Sequence, residues 1–341
     1  MEYTKKDGKQ WAREHLKGIF GASIPTYSGD PLALDEKACR QDLQRLISLG
    51  VTGIYLANSF NCTQEEWRRF MQIGVEECAG KVVSLVLVHP DTIAGMFEQT
   101  SYAEQIGADV VNLMTPPSFV PSSDEDIYDI HKKVADSVNI GVTLYPAPKA
   151  GYVMSPHVIA RLAEITNIVG SKQSPADNVH NLQTFRLAGD KIVIGIPGER
   201  DWPLLIEYGL QTTMGTPFAA MFQTLENPWL QEYWDALQAR NWSLAMEWYW
   251  RLAPLREVFW RVNGFYFSQV GTYPFKIWKY WMGMLGFNHS SIRQPVPGLS
   301  KTEKELVRSV LIRVGFIDEA TAAAREPDAP VAAKLSGVGS K

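Results

Sequence analysis

The strongest constraint on this chain is an eightfold alternation that runs through roughly its first 225 residues. Short, almost wholly apolar runs recur at Gly18–Ile24, Gly53–Ala57, Val82–Val88, Val110–Met114, Gly141–Tyr145, Ile168–Lys172, Ile192–Ile196 and Thr212–Gly215. A strand with one wet face alternates apolar and polar residues. These runs do not, so both faces are covered, as in a parallel sheet sheathed by helices. Amphipathic patterns fill the gaps at Asp35–Leu49, Gln64–Cys78, Ile93–Ile106, Asp124–Ser137, Pro156–Ile165, Ala176–Leu187 and Trp202–Tyr208. Units of this length and number predict an α/β fold of the (β/α)8 TIM-barrel type. A doubly wound sheet shares the alternation, but no Gly-x-Gly-x-x-Gly turn follows the first strand, which ranks it second.

From Asn227 onward the pattern is helical only, at Trp229–Gln238, Trp242–Val262, Tyr273–Leu285 and Ser300–Val314. The expected division is a barrel over 1–225, a C-terminal helical region over 226–317 and a flexible tail over 318–341, rich in Ala, Pro, Gly and charge. The helical region carries most of the 11 tryptophans, among them Trp248, Trp250, Trp260, Trp278 and Trp281. At helical spacing such aromatics read as packing before they read as ligand contacts.

Composition removes several classes of function. The net charge is −4 with both signs interspersed, so nothing marks a nucleic-acid footprint or a polybasic membrane patch. No apolar stretch approaches the roughly 20 residues of a membrane span, and Met1 to Lys17 lacks the apolar core of a leader. Cys39, Cys62 and Cys78 have no metal-type spacing and are too few for a disulfide framework. A soluble cytoplasmic protein is expected, with neither nucleic acid nor membrane as a partner.

In a barrel of this kind, catalytic groups stand where the strands end. Lys172 closes the sixth run and Tyr145 the fifth. Burial disfavours an ammonium and lowers the lysine pKa, and a neutral lysine condenses with carbonyls. A phenol one βα unit away can relay the protons that condensation needs. Each residue also has a plain reading. Lys172 could snorkel, and Tyr145 could be a half-buried aromatic. Ser59 could cap a helix, and Glu199 could be a carboxylate at a helix start. Cys62 reads as a small core residue and His89, beside Pro90, as a loop residue. Joint placement at the strand ends is what favours an imine-forming site. With His89 the one histidine near those ends, a Ser/His/Asp triad and a histidine metal site are both poorly supported.

The order of elements, the fifth-strand Tyr145 and the sixth-strand Lys172 resemble the dihydrodipicolinate synthase and N-acetylneuraminate lyase superfamily, class I pyruvate aldolases on a barrel with a helical extension. The resemblance spans about Gly18 to Phe316 and includes Asp42–Gly50 with Val51-Thr52-Gly53-Ile54, Ala103–Asp109, Gly195-Ile196-Pro197-Gly198-Glu199 and Ile292-Arg293-Gln294-Pro295. It implies a Schiff base on Lys172, proton relay through Tyr145 aided by Ser59, and a substrate pocket built with Asn58, Ser59, Phe60, Gly198 and Glu199. The Ser59 and Phe60 amides would hold a carboxylate. It implies no metal or organic cofactor, and a homo-oligomer, dimer or tetramer.

The chain departs from the family pattern where the second substrate is chosen. The second-strand motif, commonly Gly-Thr-Thr-Gly-Glu or Gly-Ser-Thr-Gly-Glu, is Asn58-Ser59-Phe60-Asn61-Cys62, without either glycine. Ala150 stands where the synthases carry an arginine for a dicarboxylate partner, and Pro116-Pro117-Ser118 replaces Pro-Tyr-Tyr. The Ser-Phe pair and the alanine are similar to hydratase-aldolases that act on benzylidenepyruvates. The expected function is therefore a lyase acting on a 2-oxo acid with an aromatic or apolar aldehyde partner. A dehydratase or decarboxylase of a sugar-derived 2-oxo acid and a non-catalytic ligand-binding barrel stay open as alternatives.

Overall fold

The alternation closes on itself. In a computed structural model, which describes residues 2–29, 32–57, 62–146, 152–174, 177–265, 274–289 and 299–326, eight parallel strands form a closed barrel. They are β1 (Gly18–Ser23), β2 (Gly53–Leu56), β3 (Val83–Val88), β4 (Val110–Leu113), β5 (Gly141–Leu144), β6 (Ile168–Lys172), β7 (Val193–Gly195) and β8 (Thr212–Thr216). Ring closure is made by β1, which pairs with both β8 and β2. Strand sides divide as a barrel requires. Ile54, Leu56, Val142 and Leu144 pack outward under the helices, while Tyr55, Met114, Tyr145 and Met214 fill the interior.

One irregularity decides where Lys172 points. Val142 pairs with Ile168, but Thr143 pairs with Gly170, so β6 carries an extra residue against β5. Such an insertion changes the side-chain parity downstream of it. Val169 belongs to the interior cluster, and a Cβ on Gly170 would meet the interior Thr143 and Met214 side chains. Lys172, two residues beyond Gly170, consequently faces the barrel mouth instead of the helix sheath.

The alternation gives no hint of a helix ahead of β1, yet Gly8–His15 forms one. Its Trp11 and Ala12, with Tyr3 and Leu16, belong to the interior cluster and fill the N-terminal end of the barrel. The Tyr3 hydroxyl donates to Asp109 O (2.6 Å) and accepts from Gly141 N (2.8 Å), which ties this plug to the starts of β4 and β5.

Two expectations for the C-terminal region are corrected. The helix read as Trp242–Val262 is two helices, Trp242–Arg251 and Ala253–Phe265. Pro254 lacks the N–H that would continue the first ladder but fits the opening turn of the second. The segment read as a tail from Asp318 starts with a helix, Glu319–Arg325, whose Asp318 cap accepts from Thr321 N at 2.7 Å. That helix docks through buried Ala322 and an Arg325 bond to Met284 O at 2.8 Å. Residues 327–341 lie outside the described part of the chain. No described helix is long and apolar enough to cross a membrane.

Burial also sets a pH limit on the fold. His131, on the helix Asp124–Asp136, is fully buried with Nδ1 2.8 Å from Ile127 O, and desolvation lowers its pKa from 6.5 to about 4. Above pH 6.5 the ring is neutral folded or unfolded and costs nothing. Between 6.5 and about 4 the unfolded chain takes up a proton that the folded chain refuses, so stability is lost as the pH is lowered through that window. The full effect is on the order of 3 kcal/mol. Urea unfolding of His131→Gln across the same window is expected to show a shallower loss than the unaltered chain. Parallel pH profiles would contradict this.

Candidate active site

A cavity opens at the C-terminal ends of the strands, with Lys172, Tyr145, Tyr55 and Gly215 along one side. Lys172 closes β6 in register with Gly195 of β7 and is 4% exposed. Tyr145 directly follows β5, its amide bonded to Leu113 O at 3.1 Å, and is likewise buried. Lys172 Nζ lies against Tyr145, 4.4 Å from the centroid of its ring. Burial pulls the Lys172 pKa below its ordinary value, and the Tyr145 phenol partly offsets that loss by its charge and its hydrogen bond. At neutral pH such an amine has a larger nucleophilic fraction than a solvated lysine.

Tyr55 of β2 supplies the opposite wall. Lys172 Nζ lies 3.9 Å from the centroid of the Tyr55 ring and 4.4 Å from that of Tyr145. The Tyr55 hydroxyl donates to Asn112 Oδ1 at 3.0 Å, and Asn112 Nδ2 donates to Thr143 Oγ1 at 2.8 Å. This chain of bonds links β2, β4 and β5 across the barrel and fixes the plane of the Tyr55 ring. Room for the group comes from Gly215, whose φ of +74° suits a residue without Cβ. A Cβ there would stand 2.7 Å from the Tyr55 ring and 2.9 Å from Lys172 Nζ.

Among the described residues, the rest of the lining is apolar apart from one imidazole. Ala22, Ala57, Leu87 and Met114 line it from the strands, His89 from just beyond β3, and Phe275 and Trp278 from the helix Phe275–Met284. The plain sequence readings of His89 as a loop residue and Trp278 as packing missed this placement. Strand-end position flagged the first, but nothing in helical periodicity foretells which turn of a distant helix covers a barrel mouth. Trp278 Nε1 donates to buried Asn263 Oδ1 at 3.0 Å, and Phe275 meets it edge-on with centroids 5.4 Å apart.

Two buried ion pairs fasten the C-terminal helices to the barrel. Next to Trp278, Lys279 Nζ reaches Thr26 Oγ1 (2.6 Å) and Asp42 Oδ2 (3.1 Å), and Thr26 Oγ1 donates to the same carboxylate at 2.9 Å. Asn288 completes the shell of Asp42 with its backbone and side-chain N–H groups at 2.8 and 3.0 Å. Just beyond β7, Glu199 is gripped by Arg256, Nε to Oε1 at 2.8 Å and Nη2 to Oε2 at 3.0 Å. Burial pushes the Glu199 carboxyl up, and Arg256 pulls it back toward its ionised form.

Of the site residues expected from sequence, Lys172 and Tyr145 share the cavity. Glu199 and Gly198 are not among its described lining residues: both Glu199 oxygens are committed to Arg256, and Gly198 precedes the short 3-10 turn Glu199–Asp201. Asn58, Ser59, Phe60 and Ala150 lie outside the described residues.

The chain matches the model of the dihydrodipicolinate synthetase family over residues 15–313. It is 26% identical over 313 residues to the 4-hydroxy-tetrahydrodipicolinate synthase of Methanopyrus kandleri, covering 89% of this chain and 98% of that one. In fold it is similar to YagE, a prophage protein of Escherichia coli K12 solved in complex with pyruvate, with a TM-score of 0.77, 17% identity and coverage of 88% and 99%. The N-acetylneuraminate lyase of Proteus mirabilis superposes with a TM-score of 0.75 at 17% identity, covering 89% and 100%. With nearly the whole barrel and its helical extension matched, the chain belongs to the dihydrodipicolinate synthetase family and is an enzyme of the class I aldolase and lyase kind.

Proposed function

We propose that this enzyme is a Schiff-base lyase of a 2-oxo acid, in which Lys172 forms the imine and Tyr145 relays protons. The observation that carries this reading is the buried Lys172 set against buried Tyr145 in one cavity at the barrel mouth, with Nζ 4.4 Å from the ring centroid. In the forward sense the amine attacks the ketone, Tyr145 hands a proton to the departing oxygen, and water leaves. The cationic imine then draws electrons from the neighbouring carbon, so a C–C bond there breaks or an enamine forms. Asn58, Ser59 and Phe60 directly follow β2, where their amides and the Ser59 hydroxyl would hold the carboxylate and extend the relay. Gly198 and Glu199 keep a supporting part, with the Glu199–Arg256 pair holding a C-terminal helix at the strand ends.

For the second substrate we propose an aromatic or apolar aldehyde. A dicarboxylate partner needs a cation, and among the described lining residues the only lysine or arginine is Lys172 itself. Phe275, Trp278, Leu87 and Met114 instead offer apolar and ring surfaces. The cavity holds only about 30 Å³, enough for roughly one water.

The test is product analysis with pyruvate and benzaldehyde, against pyruvate and an aliphatic sugar aldehyde. The expected result is condensation to an aryl-conjugated 2-oxo acid, followed by its near-ultraviolet absorbance, at a kcat/KM at least about 10-fold above that for the sugar aldehyde. Loss of water or carbon dioxide from a sugar-derived 2-oxo acid, with no aldehyde consumed or released, would select the dehydratase or decarboxylase reading instead.

A further inference from the structure

Tyr55 has no part in the proton relay, yet its ring lies nearer to Lys172 Nζ than that of Tyr145, 3.9 Å against 4.4 Å. The contact is built from three sides. The Tyr55 hydroxyl is held by Asn112, and Asn112 by Thr143, so the ring plane cannot turn away freely. Gly215 bears no side chain where a Cβ would touch both the ring and Nζ. An aromatic face carries negative quadrupole density and attracts a cation, most strongly where water is excluded.

We infer that the face of Tyr55 is a cation-binding wall that stabilises the positively charged imine on Lys172. This rests on the reading of Lys172 as the imine-forming residue. The step at issue is R–NH2 plus a 2-oxo acid plus one proton giving R–NH+=C plus one water. It creates a positive charge at nitrogen, and no carboxylate stands among the described lining residues to balance it. Among the described lining residues, the titratable groups besides Lys172 are Tyr55 from β2, His89 from beyond β3 and Tyr145 from β5; β8 contributes Gly215, and the β7 residue in register with Lys172 is Gly195. Tyr55 is thus a positioning and charge-stabilising residue that acts through its ring, whereas its hydroxyl serves only to fix the plane.

The idea has a pH signature that a merely structural role lacks. Where Lys172 starts neutral, adduct formation creates the charge and the ring favours product. Where Lys172 starts as an ammonium, reactant and product both carry the charge and the contribution of the ring cancels. The experiment titrates the full-length chain with pyruvate, quenches with borohydride and reads the mass-shifted fraction, at pH values on either side of the Lys172 pKa. Tyr55→Leu is expected to weaken the apparent pyruvate affinity by between about 2- and 30-fold on the alkaline side and not on the acid side. Tyr55→Phe, which keeps the ring, should stay close to the unaltered chain. If Tyr55→Leu does not fold, tetrafluorophenylalanine at position 55 replaces it, with the same shape and a depleted ring face. Its adduct should be weaker than that of Tyr55→Phe on the alkaline side alone. No trapping in the unaltered chain would overturn the Lys172 reading itself. Trapping that is equal in all variants, or weakened alike at every pH, would overturn the role of Tyr55 and leave Lys172 in place.

Discussion

Replacing Lys172 with alanine is expected to remove turnover, by about 10^4- to 10^6-fold, while the barrel stays folded. In the proposed mechanism Lys172 is the one group whose loss leaves no covalent route to the imine, so partial activity has no source among the neighbouring phenols. The same residue burdens the fold. Burial holds its pKa below 10.5 in the folded chain, so between the folded value and 10.5 the unfolded chain binds more protons. Stability of the unaltered chain accordingly rises with pH through that window, and a neutral Lys172→Met barrel is more stable at the low end. Urea midpoints should show the advantage of Lys172→Met at neutral pH and its shrinkage as pH climbs toward 10.5. An advantage that grows with pH would mean that the buried amine stays charged.

The largest expected loss of stability comes from Asp42, well away from the reacting atoms. Asp42→Ala leaves the Lys279 ammonium, 1% exposed, without its carboxylate. Removing one member of a buried pair costs about 3–5 kcal/mol, because the surviving charge stays desolvated. That is a large fraction of the roughly 5–15 kcal/mol that holds a typical domain together. The double variant Asp42→Leu with Lys279→Met has no charge to strand, and it should recover most of the loss. The geometry adds a functional consequence. Lys279 follows Trp278 in the helix that roofs the cavity, so the single variant should also raise KM for an aromatic aldehyde more than it changes pyruvate trapping. Denaturant midpoints measure the first effect and steady-state kinetics the second. A single variant as stable as the unaltered chain would mean that Lys279 finds water or another partner.

The architecture was legible because its signals are local. Each strand reads as an apolar run between turn residues, and each barrel strand formed within a residue or two of that reading. The placement of Lys172 and Tyr145 at strand ends, in one cavity, was legible for the same reason. What could not be read depends on long-range contact. The Gly8–His15 plug is a short, mostly polar segment whose Trp11 and Ala12 matter only once a barrel is there to receive them. The alignment of Lys172 with the interior rests on the extra residue in β6 relative to β5, which appears only when the strands pair. Tyr55 carries no local signal, because its placement against Lys172 depends on the missing side chain at Gly215, far along the sequence. Trp278 was one of several tryptophans at helical spacing. An ion pair next to it in the helix, joining residues 42 and 279, ties that helix to the barrel. Pro254 is a different case, since its break of the long helical pattern was a local signal that the apolar periodicity outweighed.

The most direct measurement is the mass of the chain after borohydride reduction in the presence of pyruvate, followed by peptide mapping. The account predicts one added reduced pyruvyl group, located on Lys172 and absent from Lys172→Ala. A chain of unchanged mass after a panel of 2-oxo acids, or an adduct mapped to another lysine such as the buried Lys279, would contradict it.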